Sequence, residues 1–422
     1  PRSRQRRILL YSHDTYGLGH LRRTMRIAAR LSELPGPPST LLVTGSPRAH
    51  SFGLPRGCDV LKLPAVTKTS RGAYRARHLD IPLGRLVAVR SELIRTAVRS
   101  FDPHLIVIDH APLGMGGELR PMLADLALRG HRPQLVLGLR DVIDDAARVE
   151  EDWTADRIFE VLQRDYDRIF VYGDPAVLTT AEELGLRELC RDKLSFTGYL
   201  AEPTPPDPSR EIDLRDAPLV VTVGGGGDGQ QVLRAYARWL ASRTTPAPFP
   251  SVVITGPLLS DRRRAEIEVR LRSAGQPVEV LSFTKDFGGL LQRAAGVISM
   301  GGYNTVTELL TAEVPALIFP RSMPRREQLV RAERLASVSG LSYCPPDADP
   351  VEAIDRFVIQ LETNFAPSAK HSLRLDGLTN LTRELAGLLG LSTASLDEAT
   401  TMGPNVDRLD DQDPLAWTAS VS

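Results

Sequence analysis

The sequence predicts an α/β protein built from two doubly wound, Rossmann-like domains that face a cleft. Short apolar segments alternate with amphipathic segments of helical period in both halves of the 422 residues, which is the pattern of parallel sheets covered by helices. Glycine-containing turns follow several apolar segments, as expected where a strand leads directly into a helix. Residues 201–218 are rich in Pro, Asp and Ser and have no periodicity, so we interpret them as an interdomain linker.

This linker sets the predicted domain limits. We predict an N-terminal domain over residues 1–200, the linker over 201–218 and a C-terminal domain over 219–370. Residues 371–390 form a last helix, which in this kind of fold commonly crosses back onto the first domain. Residues 391–422 are acidic, rich in Thr and Ser and weakly apolar, so we expect a disordered tail.

The predicted elements alternate along the chain. In the first domain, a buried strand at residues 7–11, a glycine-containing loop and an Arg-rich helix at residues 21–34 form the first unit of a sheet. Residues 48–74 are an irregular basic stretch. The other predicted strands there are 41–44, 105–108, 135–139 and 168–172, and the other helices are 83–101, 154–166 and 176–184. The second domain has predicted strands at 219–223, 251–255, 278–281, 296–298 and 314–319, and helices from 230 to 240 and at 351–361 and 373–389.

Composition excludes several classes of protein. The 52 Lys and Arg residues balance the 52 Asp and Glu residues, so no overall field favours a nucleic-acid partner. Apolar and charged fractions of 42% and 25% are those of a soluble globular protein. The three cysteines, Cys58, Cys190 and Cys344, are scattered and lack metal-ligand spacing. This argues against a disulfide framework or a zinc site and fits a reducing cytoplasm.

The sequence also bears on membrane contact. No apolar run has the length of a membrane span, and the first residues lack the core of a signal peptide, so we expect a cytoplasmic protein. Arg2, Arg4, Arg6 and Arg7 are typical of a frayed, solvated terminus, and they also allow peripheral contact with the inner face of an anionic membrane.

Polar side chains stand at the ends of the strands predicted in the first half. His20 lies where the loop after the first strand meets a helix, and Asp109 directly follows the strand at 105–108. Open α/β sheets bind ligands at the carboxyl ends of their strands, so we expect both at the rim of the cleft. A histidine at a helix start is also typical of a capping or surface residue, and Asp109 is equally suited to capping the next segment. His13 and Asp14 in the same loop are rivals of His20, and Arg140 and Asp141 at the end of a further strand are suited either to contact an acceptor substrate or to form a salt bridge with each other.

Two glycine-rich turns mark the second half. Residues 224–229 follow one apolar strand, Gly301 and Gly302 follow another, and each turn precedes a helix. Glycine lets backbone N–H groups approach a ligand closely, and the helix adds the positive end of its dipole, so both turns predict an anion site, most simply for a phosphate. The first turn matches G-x-G-x-x-G, but no acidic residue ends the next strand to bind the ribose of a dinucleotide, which argues against NAD.

The helix after Gly302 allows two interpretations of one glutamate. Thr305 and Glu308 have the T-x-x-E spacing of a capping box, in which Glu308 only closes the helix start. The loop after the next strand, however, gathers further polar residues at the same edge of the sheet, so Glu308 is also suited to accept hydrogen bonds from sugar hydroxyls. These loop residues are Arg321, Arg325, Arg326, Glu327 and Gln328.

Three segments of this half, GGYNTVTELL, VPALIFP and EQLVRAERL, resemble the B-fold glycosyltransferases, and most of all family 28, the bacterial peptidoglycan N-acetylglucosaminyl transferase and its relatives. The resemblance implies a nucleotide diphosphate sugar, usually of uridine, held by the C-terminal domain, and an acceptor bound by the N-terminal domain. It implies that His20 is the base that activates the acceptor and that Asp109 orients it. Relatives contact the nucleobase from the loop that holds Phe283, although the sequence alone favours burial of this side chain.

Together these observations predict an inverting, metal-independent glycosyltransferase that needs no cofactor beyond its nucleotide sugar. The alternatives are a nucleotide-sugar epimerase of the same fold, which would use carboxylates around the sugar, and a non-catalytic donor-binding subunit. The predicted donor-binding residues are Gly225, Gly226, Gly227, Phe283, Gly301, Gly302, Asn304, Thr305, Glu308, Arg325 or Arg326, Glu327 and Gln328.

Overall fold

The computed structural model describes residues 5–13, 18–49, 53–68, 74–202, 216–363 and 371–394. The chain divides into two compact units, Pro1–Leu135 with Thr382–Ser422 (the first unit) and Val136–Leu381 (the second unit). These units do not coincide with the domains expected from the sequence, whose limits stay a prediction.

The strands, all in the described part of the chain, are β1 (Arg7–Ser12), β2 (Ser39–Thr44), β3 (Cys58–Lys62), β4 (Val66–Lys68), β5 (Tyr74–Ala76), β6 (Leu105–Asp109), β7 (Gln134–Arg140), β8 (Arg168–Tyr172), β9 (Leu194–Phe196), β10 (Leu219–Thr222), β11 (Ser251–Ile254), β12 (Val278–Leu281), β13 (Gly296–Ser299), β14 (Ala316–Ile318) and β15 (Ser342–Tyr343). The α-helices are α1 (Gly19–Ser32), α2 (Leu83–Phe101), α3 (Arg120–Ala127), α4 (Ala146–Ala155), α5 (Ile158–Arg164), α6 (Thr180–Glu183), α7 (Leu186–Cys190), α8 (Gln230–Ser242), α9 (Asp261–Ser273), α10 (Phe287–Arg293), α11 (Tyr303–Ala312), α12 (Glu327–Ser339), α13 (Pro350–Glu362) and α14 (Gly377–Leu389).

Parallel strands organise the first unit, in the order β3-β2-β1-β6. The central strand β1 has the sequence RILLYS and is buried from its second residue onward, as a strand covered on both faces must be. Part of the stretch expected to be irregular is ordered here. Residues 58–62 pair in parallel with β2 as an edge strand, and β4 forms an antiparallel hairpin with β5. The hairpin was missed because its strands are three residues long and carry little alternation.

Parallel strands also organise the second unit. One run has the order β7-β8-β9, and a six-stranded sheet has the order β12-β11-β10-β13-β14-β15. In chain order this is the 3-2-1-4-5-6 arrangement of the doubly wound fold, whose ligand-binding switch point lies between the first and fourth strands, here β10 and β13. The sheet packs on a core that includes Val221, Trp239, Ile298 and Phe357, and complete burial of each such side chain contributes about 1.5–3 kcal/mol.

Two helices differ from expectation. The helix expected over residues 154–166 is interrupted, because Arg157 adopts a left-handed conformation (φ 55°) between α4 and α5. The helix expected from residue 176 begins only after Thr179. There the Thr179 hydroxyl accepts the Glu182 amide and the Glu182 carboxylate accepts the Thr179 amide, which forms a capping box.

No helix in the described part of the chain is long and apolar enough to cross a membrane.

Candidate active site

A polar cluster occupies the strand ends of the first unit. Tyr11 of β1 is paired with Ile108 of β6, so the residues that follow these positions share one edge of the sheet. His20 is the second residue of α1, and Asp109 is the last residue of β6. Their side chains meet, with 2.6 Å between His20 Nδ1 and Asp109 Oδ2. The structure therefore brings together the two residues that the sequence predicts as the catalytic pair.

Arg23 joins this pair from the next turn of α1. Its Nε donates to Asp109 Oδ1 and its Nη2 donates to Oδ2, each at 2.8 Å. Asp109 is 2% exposed, and burial by itself would raise the pKa of its carboxyl group. The Arg23 guanidinium and the hydrogen bond with His20 outweigh this effect and hold the pKa well below its usual range. Asp109 is thus an ionised carboxylate.

The ionised carboxylate decides the tautomer of His20. A carboxylate can only accept hydrogen bonds, so a separation of 2.6 Å from Nδ1 requires the proton to be on Nδ1. In the neutral imidazole, Nε2 then carries the lone pair. The same geometry makes Nε2 of His20 the atom that can take a proton from a substrate.

Two further imidazoles complete the histidine site, which we define as His13, His20, Arg23, Asp109 and His110. The ring centroids of His13 and His110 lie 5.6 and 5.1 Å from that of His20. His110 has a left-handed backbone (φ 71°), a conformation that costs energy outside glycine and is concentrated at functional sites. Among the described residues, no group of three or more His, Cys, Asp or Glu side chains is arranged to hold a metal ion.

Two glycine turns occupy the strand ends of the second unit. We define the first glycine turn as residues 224–229, between β10 and α8, and the second as residues 301–302, between β13 and α11. Thr222 at the end of β10 pairs with Ser299 at the end of β13, so both turns lie at the switch point of the sheet. A Cβ at Gly224 would lie 3.8 Å from the Thr305 hydroxyl oxygen, which places the start of α11 beside the first turn.

The glycines in these turns serve different purposes. Gly226 has a φ of +81°, and a Cβ there would lie 2.4 Å from the Thr255 carbonyl oxygen, so only glycine fits the packing of the first turn. Gly302 has an ordinary φ of −68°, and a Cβ there would have no atom within 4 Å. Its missing side chain instead leaves the backbone at the start of α11 open to close approach by a ligand.

Arg321 links the first glycine turn to the start of α12. Its guanidinium donates to the carboxylates of Asp228 and Glu327, and the Gln328 side chain accepts its backbone amide at 3.1 Å. Burial by itself would lower the pKa of Arg321, but Glu327 and Asp228 raise it, so the side chain is a cation. Glu327 is 5% exposed, and no donor within the described part of the chain reaches its Oε2. A buried carboxylate oxygen of this kind is suited to accept a hydrogen bond from a ligand.

Behind the second glycine turn lies a fully buried ion pair. Arg331 donates through Nη2 to Asp141 Oδ1 at 2.8 Å and through Nε to Oδ2 at 3.0 Å. It also donates through Nη1 to the Gly301 carbonyl at 3.1 Å, and its guanidinium carbon lies 5.7 Å from the centre of the Tyr303 ring. Both charged side chains are 0% exposed. This pair therefore positions the backbone of the turn.

The comparisons with known proteins bear on the fold and on the class of enzyme. Residues 220–358 match the model of the glycosyltransferase family 28 C-terminal domain. A transferase of Methylobacterium sp. (strain 4-46), named UDP-N-acetylglucosamine--N-acetylmuramyl-(pentapeptide) pyrophosphoryl-undecaprenol N-acetylglucosamine transferase, is 25% identical over 386 residues, which cover 88% of this chain and 93% of the relative. The chain is a glycosyltransferase of the B fold, and its C-terminal part is similar to the family 28 C-terminal domain.

Solved structures support the fold of the glycosyltransferase. The crystal structure of MurG from Acinetobacter baumannii superposes with a TM-score of 0.58 at 13% identity, over 91% of this chain and 99% of that one. The calicheamicin glycosyltransferase CalG4 gives a TM-score of 0.55 at 18% identity, over 94% and 98% of the two chains. A transferase from Siraitia grosvenorii, solved in complex with UDP, gives 0.56 at 11% identity, over 94% of this chain and all (100%) of that one.

Several predicted residues of this glycosyltransferase lie elsewhere than expected. Phe283 is 57% exposed, so the burial favoured by its sequence context is wrong, and its ring is accessible for a nucleobase. Arg326 donates its amide to Asp144 at 2.7 Å and pairs with Asp145, and Arg325 lies 3.9 Å from Asp144. The negative charges of these neighbours offset the positive charges of the two arginines. Arg321 is the cation that reaches the first glycine turn.

The candidates for the acceptor side also differ in where the structure places them. The Asp141 carboxylate is buried and accepts from Arg331, the Val142 amide and the Tyr199 hydroxyl, so the structure contradicts its expected contact with the acceptor: no oxygen is left for substrate. Arg140 is half-buried at the end of β7, and His13 belongs to the histidine site. Asp14 lies outside the described residues.

The capping box expected at Thr305 and Glu308 is not formed. Gly302 is the N-cap of α11 and no side chain caps it, because the helix begins three residues earlier than the T-x-x-E spacing requires. Asn304 and Thr305 therefore lie in the first turn of α11, and Glu308 lies half-buried in its second turn.

Sequence reasoning missed two side chains of these candidate sites, Arg23 and Arg331, and the strained backbone of His110. The i, i+3 spacing of His20 and Arg23 on one helix face is a signal that could have found Arg23. No local signal marks His110 as strained, and none pairs Arg331 with a carboxylate 190 residues away.

Proposed function

We propose that this enzyme transfers a sugar from a UDP-sugar to an acceptor hydroxyl with inversion at the anomeric carbon and without a metal ion. The observation that carries this proposal is the contact of His20 Nδ1 with the ionised Asp109, because it leaves Nε2 as a proton acceptor. An acceptor hydroxyl needs such a base, since it is a poor nucleophile until its proton is removed.

The reaction is a single displacement. The acceptor oxygen forms a bond to the anomeric carbon while its proton passes to Nε2 of His20, and the bond from that carbon to the diphosphate oxygen breaks. Attack opposite the leaving group inverts the configuration, and the electron pair of the broken bond leaves with UDP. Asp109 would stabilise the imidazolium formed in this step, as it holds the Nδ1 proton.

The departing diphosphate gains negative charge, and three features of the second unit support its stabilisation. The N-terminus of α11 carries the positive end of a helix dipole next to the second glycine turn. Residues 224–229 supply a glycine-rich turn at the same switch point. Arg321 is a cation whose Nε has no acceptor among the described residues. Preorganised donors and charge of this kind do the work that a metal ion does in other transferases.

The donor sugar and base have their own candidates. Glu327 Oε2 is a buried acceptor without a donor in the described residues, and Glu308 and Gln328 lie on the two helices that start at this edge. The exposed ring of Phe283 is suited to stack on a nucleobase. The curated relative is named for UDP-N-acetylglucosamine as donor, so we propose N-acetylglucosamine as the sugar.

The test is a transfer assay with radiolabelled UDP-N-acetylglucosamine and the lipid-linked acceptor that the relative's name specifies. We expect transfer in excess EDTA and a product of inverted anomeric configuration by NMR. His20→Asn should lower kcat by about 10²–10⁴-fold, the usual contribution of a general base, while the Kd for UDP is unchanged.

The matched control is His131→Asn, because His131 is exposed in the same unit and outside the histidine site, and it should keep wild-type kcat. Loss of transfer in EDTA with recovery on added Mg²⁺ would contradict the metal-independent mechanism. Wild-type kcat in His20→Asn would contradict the assignment of the base.

A further inference from the structure

Arg23 occupies an unusual position in the histidine site. One oxygen of Asp109, Oδ2, accepts from both Arg23 Nη2, at 2.8 Å, and His20 Nδ1, at 2.6 Å. The two nitrogens that converge on this oxygen are themselves only 2.9 Å apart. Arg23 is 2% exposed, so water does not screen its charge from its neighbours. The imidazole of His20 therefore faces a buried guanidinium as closely as it faces the carboxylate.

We propose that Arg23 is a positioning residue that holds Asp109 ionised and keeps His20 uncharged until it takes the proton of the acceptor. This inference rests on the proposed role of His20 as the base. In this role Arg23 controls the protonation of His20. A purely structural role would only join α1 to β6 through the ion pair with Asp109.

The charges around His20 support this assignment. In a pair formed by His20 and Asp109 alone, the buried carboxylate would favour the imidazolium, and His20 would be protonated at neutral pH. With Arg23 present, the guanidinium opposes a second positive charge at Nδ1 from a similar distance, and the two influences offset each other. A base must be unprotonated to act, so the arginine keeps it in its working form.

The groups that face His20 come from each described element around it. The segment after β1 contributes His13, α1 contributes Arg23, and the end of β6 contributes Asp109 and His110. Neither histidine supplies a negative charge, because an imidazole is either neutral or cationic. Asp109 is the carboxylate among these groups, and the bidentate contact with Arg23 already balances it.

Arg23 also maintains the tautomer. Loss of the guanidinium would remove the charge that holds the pKa of the buried Asp109 carboxyl low, so a proton bound by the His20–Asp109 pair could also lie on Asp109 and be donated to Nδ1. Whether that proton lies on Asp109 or on His20, Nε2 carries an N–H and cannot take the proton of the acceptor. Arg23 excludes this arrangement by holding the carboxylate ionised, with one oxygen aimed at Nδ1.

The test is an NMR titration of the imidazole nitrogens in the intact protein, with the His20 signal assigned by its loss in His20→Asn. In the wild type we expect a pKa of His20 at or below the reference value of about 6.5, with the proton of the neutral ring on Nδ1. In Arg23→Met we expect the pKa to rise by at least about one unit, which is a tenfold change in the protonation equilibrium. Arg23→Lys keeps the charge without the bidentate fork, so its shift should be smaller.

The matched control is Arg30→Met. Arg30 lies on the same helix and pairs with Glu33 near the surface, so its removal should leave the titration of His20 unchanged. The pH profile of kcat/KM gives a second readout. Activity falls as pH drops through the pKa of the free base, so Arg23→Met should move the acidic limb to higher pH by the same amount as the NMR shift.

Two outcomes would overturn the inference. One is a wild-type His20 that titrates more than a unit above its reference value, a result that needs no variant to fold. The other is a folded Arg23→Met or Arg23→Lys protein in which the titration and the tautomer match the wild type, which would leave Arg23 only an anchoring role. The NMR titration does not depend on turnover. An active His20→Asn enzyme would refute the assignment of His20 as the base, and the titration would still show whether Arg23 controls the pKa of His20.

Discussion

The histidine site consists of side chains, whereas the glycine turns consist largely of backbone. In the histidine site, three side chains meet with nitrogen to oxygen separations of 2.6 to 2.8 Å, and the atom that we propose as the base belongs to a side chain. In the second unit, the site at the switch point consists largely of backbone in two turns, one of them next to a helix start. A site of side chains is changed by altering one functional group, whereas a site of backbone is changed by altering its shape.

Each region nevertheless relies on a buried pair of arginine and aspartate. In the first unit the aspartate of the pair, Asp109, contacts the imidazole that we propose as the base. In the second unit the arginine of the pair, Arg331, donates to a backbone carbonyl, that of Gly301. The same kind of ion pair thus orients an imidazole in one region and a turn of the backbone in the other. Three variants test whether the second region is a backbone site of this kind.

The largest effect should come from Asp141→Asn. This change leaves the Arg331 guanidinium buried without its counter-charge, and removal of one partner of a buried pair costs about 3–5 kcal/mol. The free energy of unfolding from urea titration should fall by about that amount. The Kd for UDP should rise as well, because the Gly301 carbonyl loses a rigid donor.

Asp145→Asn is the control, since Asp145 pairs with Arg326 at 3.2 Å on the surface and should contribute less than about 1 kcal/mol. Unchanged UDP binding in a destabilised Asp141→Asn protein would mean that the ion pair stabilises the fold but does not set the conformation of the turn.

Gly302→Ala should have an intermediate effect. A methyl group at this position meets no atom within 4 Å, so the free energy of unfolding should change by about 1 kcal/mol or less, which is the scale of an N-cap substitution. A diphosphate close to the backbone would collide with the methyl group, and the Kd for UDP should rise by about tenfold, or about 1.4 kcal/mol. Isothermal titration calorimetry with UDP measures this change.

Gly84→Ala in α2 is the control, because a Cβ there also meets no atom within 4 Å and UDP affinity should not change. If both alanine variants bind UDP as the wild type does, the second glycine turn is not a close-contact site.

Arg321→Gln should have the smallest effect. The change removes a cation that Asp228 and Glu327 hold beside the first glycine turn, and it leaves these two carboxylates to repel a diphosphate. The side chain is partly exposed, so we expect the Kd for UDP to rise by only about three- to tenfold, and less at high salt.

Arg325→Gln in the same loop should leave the Kd for UDP unchanged, because Asp144 already lies near its guanidinium. Equal losses in the two variants would mean that loop charge in general, and not Arg321, attracts the diphosphate.

The local order of strand, glycine turn and helix was predictable from the sequence. Apolar runs and glycines are local signals, and they located β1, β6, β10 and β13 to within about two residues, the usual uncertainty of such boundaries. They placed His20 and Asp109 at one rim, because parallel strands bring their carboxyl ends to one edge, and the resemblance to B-fold transferases implied that the two residues pair. The same rule placed both glycine turns at the carboxyl ends of their strands.

Tertiary structure decided which charges pair and which are available. Arg23 and Asp109 are 86 residues apart and Arg331 and Asp141 are 190 apart, and no periodicity along the chain encodes such a contact. Tertiary structure also decided that Arg321 reaches the first glycine turn, whereas Arg326 pairs with an acidic neighbour. Hydrophobic period selects local elements, whereas the partner of a buried charge depends on what the packed elements bring within about 3 Å. The sequence by itself therefore determined the fold and the positions of its two sites, and packing determined the electrostatics within them.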